Sequence, residues 1–145
     1  MILKEDSSEQ KLRGAYYTPL KLAKKMVDFF KDDLSIKSIL EPSCGDGVFV
    51  DALLESQFLS QHKRVTAIEI EKKEAEKLSE KLKDNSNIDV VNGDFFEFYH
   101  KHKDMDTYDL ILGNPPYIRY QYLEEKQRSE MAEILTSHGM KANKL

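Results

Sequence analysis

The sequence predicts an α/β fold, an open parallel sheet flanked by helices. Short runs rich in β-branched and apolar residues alternate along the chain with stretches of helical apolar spacing. Strands separated by helices pair in parallel, because a parallel neighbour needs a crossover connection. Turns carrying glycine, proline and acidic residues follow the strands, at the end where open α/β sheets hold ligands. With 145 residues the chain is long enough for one domain with a real core.

The elements follow in order. Residues 1–13 are polar and read as a flexible N-terminus. Thr18-Pro19 reads as an N-cap followed by proline at the first helical position. The helix it opens puts Leu22, Ala23, Met26, Val27 and Phe30 on one face. Ile36 to Glu41 reads as a strand, and Gly45-Asp46-Gly47 breaks the chain before a helix from Val48 to about Ser56, carrying Phe49, Ala52 and Leu53. Val65 to Ile70 is the second strand. Lys72 to Lys83 is a helix with Ala75, Leu78 and Leu82 buried and its Lys and Glu residues wet. Ile88 to Val91 and Tyr108 to Leu112 complete four strands. Residues 122–135 fit an amphipathic helix able to cover the fourth strand, with Leu123, Met131 and Leu135 as its contacts.

Composition narrows the function. The balance of 22 basic and 26 acidic residues gives a net charge of −4, which argues against strong duplex-DNA binding by this chain alone. No apolar run is long enough to span a bilayer, and the start lacks a signal core, so the expected location is the cytoplasm. The single cysteine, Cys44, rules out an internal disulfide framework and a multi-cysteine zinc site. His62, His100, His102 and His138 have no metal-ligand spacing, and His100 and His102 fall in a Lys-rich stretch read as loop.

The chemistry gathers at the strand ends. Asn114 offers an amide oxygen. Pro115 and Pro116 lack amide hydrogens, fix φ near −65° and push the residue before them towards extended geometry. The carbonyls of Asn114 and Pro115 thus sit on a stiff segment, and Tyr117 adds a flat face. Two acceptors and an aromatic plate suit an exocyclic amine on a conjugated ring. After the first strand, Gly45 and Gly47 let backbone approach a ligand at a helix start. Glu41 and Asp46 would repel a pyrophosphate and suit an ammonium or sulfonium. Glu69 lies 22 residues after Gly47, placed to accept ribose hydroxyls, with Glu71 as its competitor. Alternation sets Glu69 on the face opposite Ile68 and Ile70. Asp94 can accept from an adenine amine with Phe95 on the ring, while Phe96 and Phe98 read as core.

These segments, Gly14-Ala15-Tyr16-Tyr17-Thr18-Pro19, Glu41 to Phe49, Glu69, Gly93 to Phe96 and Asn114 to Tyr117, resemble in order and spacing the N-terminal motifs of adenine-specific DNA N6-methyltransferases. The subgroup it looks like belongs to type II restriction–modification systems. The resemblance implies a Rossmann-like fold dependent on S-adenosyl-L-methionine, with residues 14–121 as the cofactor-binding and catalytic domain. It implies cofactor contacts from Tyr17, Thr18, Glu41, Pro42, Ser43, Cys44, Gly45, Asp46, Phe49, Glu69, Ile70, Asp94, Phe95 and Asn114. Asn114, Pro115, Pro116 and Tyr117 form the catalytic motif, and no metal is implied.

Resembling enzymes carry three more strands and a DNA-recognition domain after the catalytic motif. Residues 122–145 therefore read as a helical tail truncated before them, with double-stranded DNA met mainly through the missing region. The fourth strand would then be an open edge and a route to dimers. Two other readings use the same residues: a protein glutamine N5-methyltransferase, since an Asn-Pro-Pro-Tyr grip also fits a planar amide, and a non-catalytic cofactor-binding module.

Overall fold

The computed structural model describes residues 18–59, 62–116 and 125–141. Its elements run α1 Leu20–Asp28, β1 Ser38–Glu41, α2 Val48–Glu55, β2 Arg64–Glu69, α3 Lys72–Lys81, β3 Ile88–Asn92, α4 Phe95–His102, β4 Leu110–Ile111 and α5 Glu125–Ser137. The four strands form a parallel sheet in the order β3-β2-β1-β4. All four predicted strands are therefore present and parallel. β4 is shorter than its apolar run, with only Leu110 and Ile111 paired.

The order matters more than the count. From β1 the chain steps outward through β2 to β3, then returns to place β4 on the other side of β1. The β1–β4 boundary is a topological switch point, where the strand tips leave a crevice for a ligand.

The chain divides into two compact units. Residues 17–115 form one, which holds the sheet. Residues 1–16 and 116–145 form the other, whose described helix is α5. Leu123 lies outside the described residues. Met131 and Leu135 on α5 are half-buried.

Alternate strand residues meet α1, α2 and α3 on one face. Ile39, Val65, Ala67, Ile88, Leu110 and Leu112 pack with Ala23, Val27, Phe49, Ala52, Leu53 and Leu78. Leu40 and Ile68, in the other phase, are buried outside that cluster.

Four sequence expectations are corrected. Leu22 is 50% exposed, because the buried stripe of α1 is centred on Ala23 and Val27 and Leu22 lies about 100° round the helix from Ala23. Thr18 does not cap α1. Pro19 occupies the N-cap position, and no side chain bonds there. His100 and His102 sit on α4, and His102 stacks on Phe98 with centroids 4.1 Å apart. Phe96 and Phe98 are half-buried rather than core. Phe95, Phe96, Phe98 and Tyr99 occupy too wide an arc of α4 for one core to take them all, so rings pack on one another along the helix.

Candidate active site at the tips of the parallel strands

The loop after β1 is held by its neighbours. Cys44 N donates to Ile68 O at 2.8 Å, tying the loop to β2, and Gly47 N donates to Cys44 O at 2.8 Å, closing the turn into α2. Asp46 Oδ1 accepts from Val48 N at 3.3 Å. The two glycines serve different ends. Gly47 has φ +82°, and a Cβ there would stand 2.5 Å from Leu78 Cδ1 on α3. Gly45 has φ +54°, but a Cβ there would meet nothing within 4 Å, so the backbone is open to close approach on its Cα side.

Glu69 ends β2, 7% exposed, and organises this loop. Its Oε2 accepts from Gly45 N and its Oε1 from Glu71 N, both at 2.7 Å. Each oxygen keeps a second lone pair for a further donor. Ile70 lies just past the strand end and is 64% exposed, an apolar plate beside that carboxylate. The expectation that Ile70 continues the strand fails, since β2 pairing with β3 ends at Glu69↔Asn92.

Asn92 joins the tips of β2 and β3, a role that composition alone did not flag. Its Nδ2 donates to the carbonyls of Glu69 and Ile70 at 2.8 and 3.1 Å, and Gly93 N donates to Glu69 O at 3.0 Å. Asp94 then caps α4, its Oδ1 accepting from Phe96 N at 2.8 Å and Glu97 N at 3.2 Å. Capping therefore engages Oδ1 and leaves Oδ2 out. Phe95 is half-buried at the first turn.

At the switch point, Leu112 N donates to Leu40 O at 2.9 Å, carrying the β1–β4 contact past the paired residues. A Cβ on Gly113 would stand 3.5 Å from Pro42 Cδ and 3.7 Å from Glu41 Cγ. Asn114 and its amide thus emerge beside the β1 loop. Asn114 is half-buried, and its Nδ2 donates to Thr18 Oγ1 at 3.2 Å. Pro115 and Pro116 are exposed, while Tyr17 and Tyr117 lie outside the described residues.

Glu41 is the unusual member. It is 2% exposed, and its Oε2 has no hydrogen-bond partner among the described residues; Ser43 Oγ nearby in sequence is also buried and unpartnered. Burial first, then the charges of Asp46, Asp51 and Glu69, push its carboxyl well above the usual range. A buried acid without a partner is costly unless a ligand satisfies it. Burial also raises the Cys44 thiol, with Glu41 and Glu69 adding to it, so Cys44 is a neutral packing residue rather than a nucleophile.

The strand tips thus line up in one row, from Asn114 through Glu41, Gly45 and Glu69 to Asp94. Sequence comparison decides what kind of protein carries this row. The model of the Eco57I restriction-modification methylase family matches residues 13–144.

The chain belongs to that family.

Among curated relatives, it is 32% identical over 128 residues to the type II methyltransferase M.HincII of Haemophilus influenzae, covering 88% of this chain and 22% of that protein. M.BanIII of Aneurinibacillus aneurinilyticus is 29% identical over 164 residues, covering 96% of this chain and 28% of that protein. The chain thus spans about a fifth to a quarter of the length of these curated relatives. The fold matches a type I restriction-modification methyltransferase subunit from Streptococcus thermophilus with a TM-score of 0.57 at 17% identity, over 77% of this chain and 26% of that one. It also matches the 23S rRNA methyltransferase ErmE with a TM-score of 0.52 at 22% identity, over 74% of this chain and 40% of that one. The fold is the Rossmann-like methyltransferase fold, and S-adenosyl-L-methionine is the cofactor of the family.

The residues present fit that cofactor. An unpartnered buried carboxylate suits its ammonium, the spare lone pairs of Glu69 suit a ribose diol, and exposed Ile70 suits an adenine face.

Proposed function

We propose that this chain supplies the cofactor-binding and catalytic part of an enzyme that methylates N6 of adenine in double-stranded DNA within a restriction–modification system. The observation that carries the reading is that Gly113, which leads into Asn114 and Pro115 after β4, abuts Pro42 and the buried Glu41 at the β1–β4 switch point. In this reading Glu41 receives the cofactor's ammonium, Gly45 leaves room for its backbone approach, Glu69 takes the ribose, and Asp94 with Ile70 and Phe95 takes the adenine ring. When bound, S-adenosylmethionine supplies an electrophilic methyl group.

The chain's own residues orient the acceptor. A target adenine must leave the stack, because its N6 is unreachable inside the duplex. Tyr117 stacks on the extruded base, a contact worth roughly 1–3 kcal/mol. Asn114 Oδ1 and the Pro115 carbonyl accept the two N6 hydrogens. That draws the nitrogen lone pair out of ring conjugation and aims it along the line of transfer. Rate enhancement comes from orientation and fixed dipoles.

A glutamine side chain presents a similar planar nitrogen, so substrate identity needs its own test. Tritiated S-adenosylmethionine is incubated with adenine-containing duplex DNA and, separately, with a glutamine-bearing protein substrate such as a release factor. Label recovered as N6-methyldeoxyadenosine after digestion supports the proposal. Label recovered only in protein glutamine refutes it.

A further inference from the structure

We infer that Asn92 is a positioning residue, whose side-chain amide fixes the peptide group between Ile70 and Glu71 and so aims the Glu69 carboxylate into the site. The inference rests on the cofactor role proposed for Glu69. Strand pairing between β2 and β3 ends at Glu69↔Asn92, and α3 begins at Lys72. Ile70 and Glu71 lie between them, outside both elements. Their backbone must be held by other means if the Glu69 side chain is to keep one position.

Asn92 supplies the means. Its Nδ2 donates to Glu69 O at 2.8 Å and to Ile70 O at 3.1 Å. Both partners are carbonyl oxygens, which only accept, so the amide nitrogen must be the end that faces them. Glu69 O also accepts from Gly93 N at 3.0 Å, which fixes the first of two successive peptide planes. The second plane is gripped on opposite edges. Its carbonyl, Ile70 O, meets Asn92 Nδ2, and its N–H, on Glu71, donates to Glu69 Oε1 at 2.7 Å. A half-turn of that plane would bring the Ile70 carbonyl round to the carboxylate, acceptor against anion, and Oε1 would lose its charge-assisted bond. Asn92 opposes the turn from the far edge. Oε2 stays on Gly45 N, so the clamp governs one of the two bonds that aim Glu69. Asn92 itself is exposed, so truncating it opens no cavity in the core.

The test reads the clamp and the ligand separately. In the backbone-assigned 15N-labelled chain, Asn92→Ala should move the Glu71 amide proton upfield, because its bond to the carboxylate is lost or lengthened, with dispersion elsewhere intact. Asn92→Asp, which keeps the shape and removes the donors, should do the same. Calorimetry with S-adenosylmethionine then completes a double-mutant cycle with Glu69→Ala. Asn92→Ala should weaken binding about three- to tenfold in the parent, and by less than about twofold where Glu69 is already alanine. A Glu71 signal that ignores both Asn92 variants overturns the inference. So does an equal loss of affinity in the two backgrounds, which marks Asn92 as a general support of the fold or as a direct cofactor contact. Affinity that Glu69→Ala leaves at the parent's value, with the Glu71 signal moved by Asn92→Ala, upholds the clamp and overturns the cofactor role of Glu69 instead.

Discussion

Replacing Glu41 with glutamine keeps the side chain's size and removes its charge, and two opposite effects are expected. The folded chain holds the Glu41 carboxyl well above its ordinary ionisation range, through burial and the charges of Asp46, Asp51 and Glu69. Between the unfolded value, about 4.3, and that raised value, the unfolded chain has lost its proton while the folded chain retains it. The unfolded state then binds fewer protons, so stability falls as pH rises through this window, by up to about 1.4 kcal/mol per pH unit. Glutamine does not titrate. Glu41→Gln should therefore match the parent near pH 4 and exceed it near pH 7. A difference of about 1–3 kcal/mol from this linkage corresponds, for a chain of this size, to about 3–10 °C in Tm.

Cofactor binding should move the other way. Loss of a charge-assisted hydrogen bond of about 1.5–3 kcal/mol weakens S-adenosylmethionine by roughly 10- to 150-fold. In the proposed role Glu41 ionises beside the ammonium only in the complex, so binding by the parent should release a proton, and calorimetric heats should differ between buffers of high and low ionisation enthalpy. Thermal melts at pH 4, 5.5 and 7 and titrations in two buffers read both effects. A variant with the parent's pH slope, or with unchanged cofactor affinity, would refute the reasoning.

The other predictions test the frame around that pocket. Gly47→Ala and Gly45→Ala both force a side chain into left-handed φ, but only the former meets Leu78, so it should lose about 1–3 kcal/mol more in denaturant titration. Asp94→Ala removes the α4 cap, lowering stability by about 1 kcal/mol, and also weakens cofactor binding; Asp94→Asn should keep the cap and lose only affinity. Asp109, at the opposite end of the sheet, is held low first by the backbone N–H of Lys37 and then by Ser38. Its stabilisation is present above the unfolded carboxyl's value and is lost as pH falls through the lowered folded one. Asp109→Ala should thus lower Tm at neutral pH and flatten the acid limb of the melt profile, without touching cofactor affinity.

The gathering of the candidate residues at one end of the sheet was legible because strand ends announce themselves in sequence. Glu41, Glu69, Asp94 and Asn114 each follow an apolar run, and parallel pairing brings such ends to one side of a sheet. Motif spacing likewise pointed to the family. What stayed hidden depends on partners distant in sequence. Nothing local distinguishes Gly47, excluded from bearing a side chain by Leu78, from Gly45, which faces open space. Thr18-Pro19 carries a cap signature, yet the hydroxyl turns to Asn114. Asn92 looks like a turn residue until β2 and β3 pair in register. Helix α4 was missed because its aromatics read as a ring contact and core and its His and Lys residues as loop, and only the Asp94 cap reveals its start.

Asn114→Ala bears most directly on the pocket that unites these residues. The account predicts that S-adenosylmethionine still binds within about threefold of the parent while transfer of its methyl group to adenine in DNA drops below detection, since only the amine grip is removed. Transfer that persists in Asn114→Ala, or cofactor affinity that collapses with it, would contradict the assignment of Asn114 to the acceptor side of the crevice.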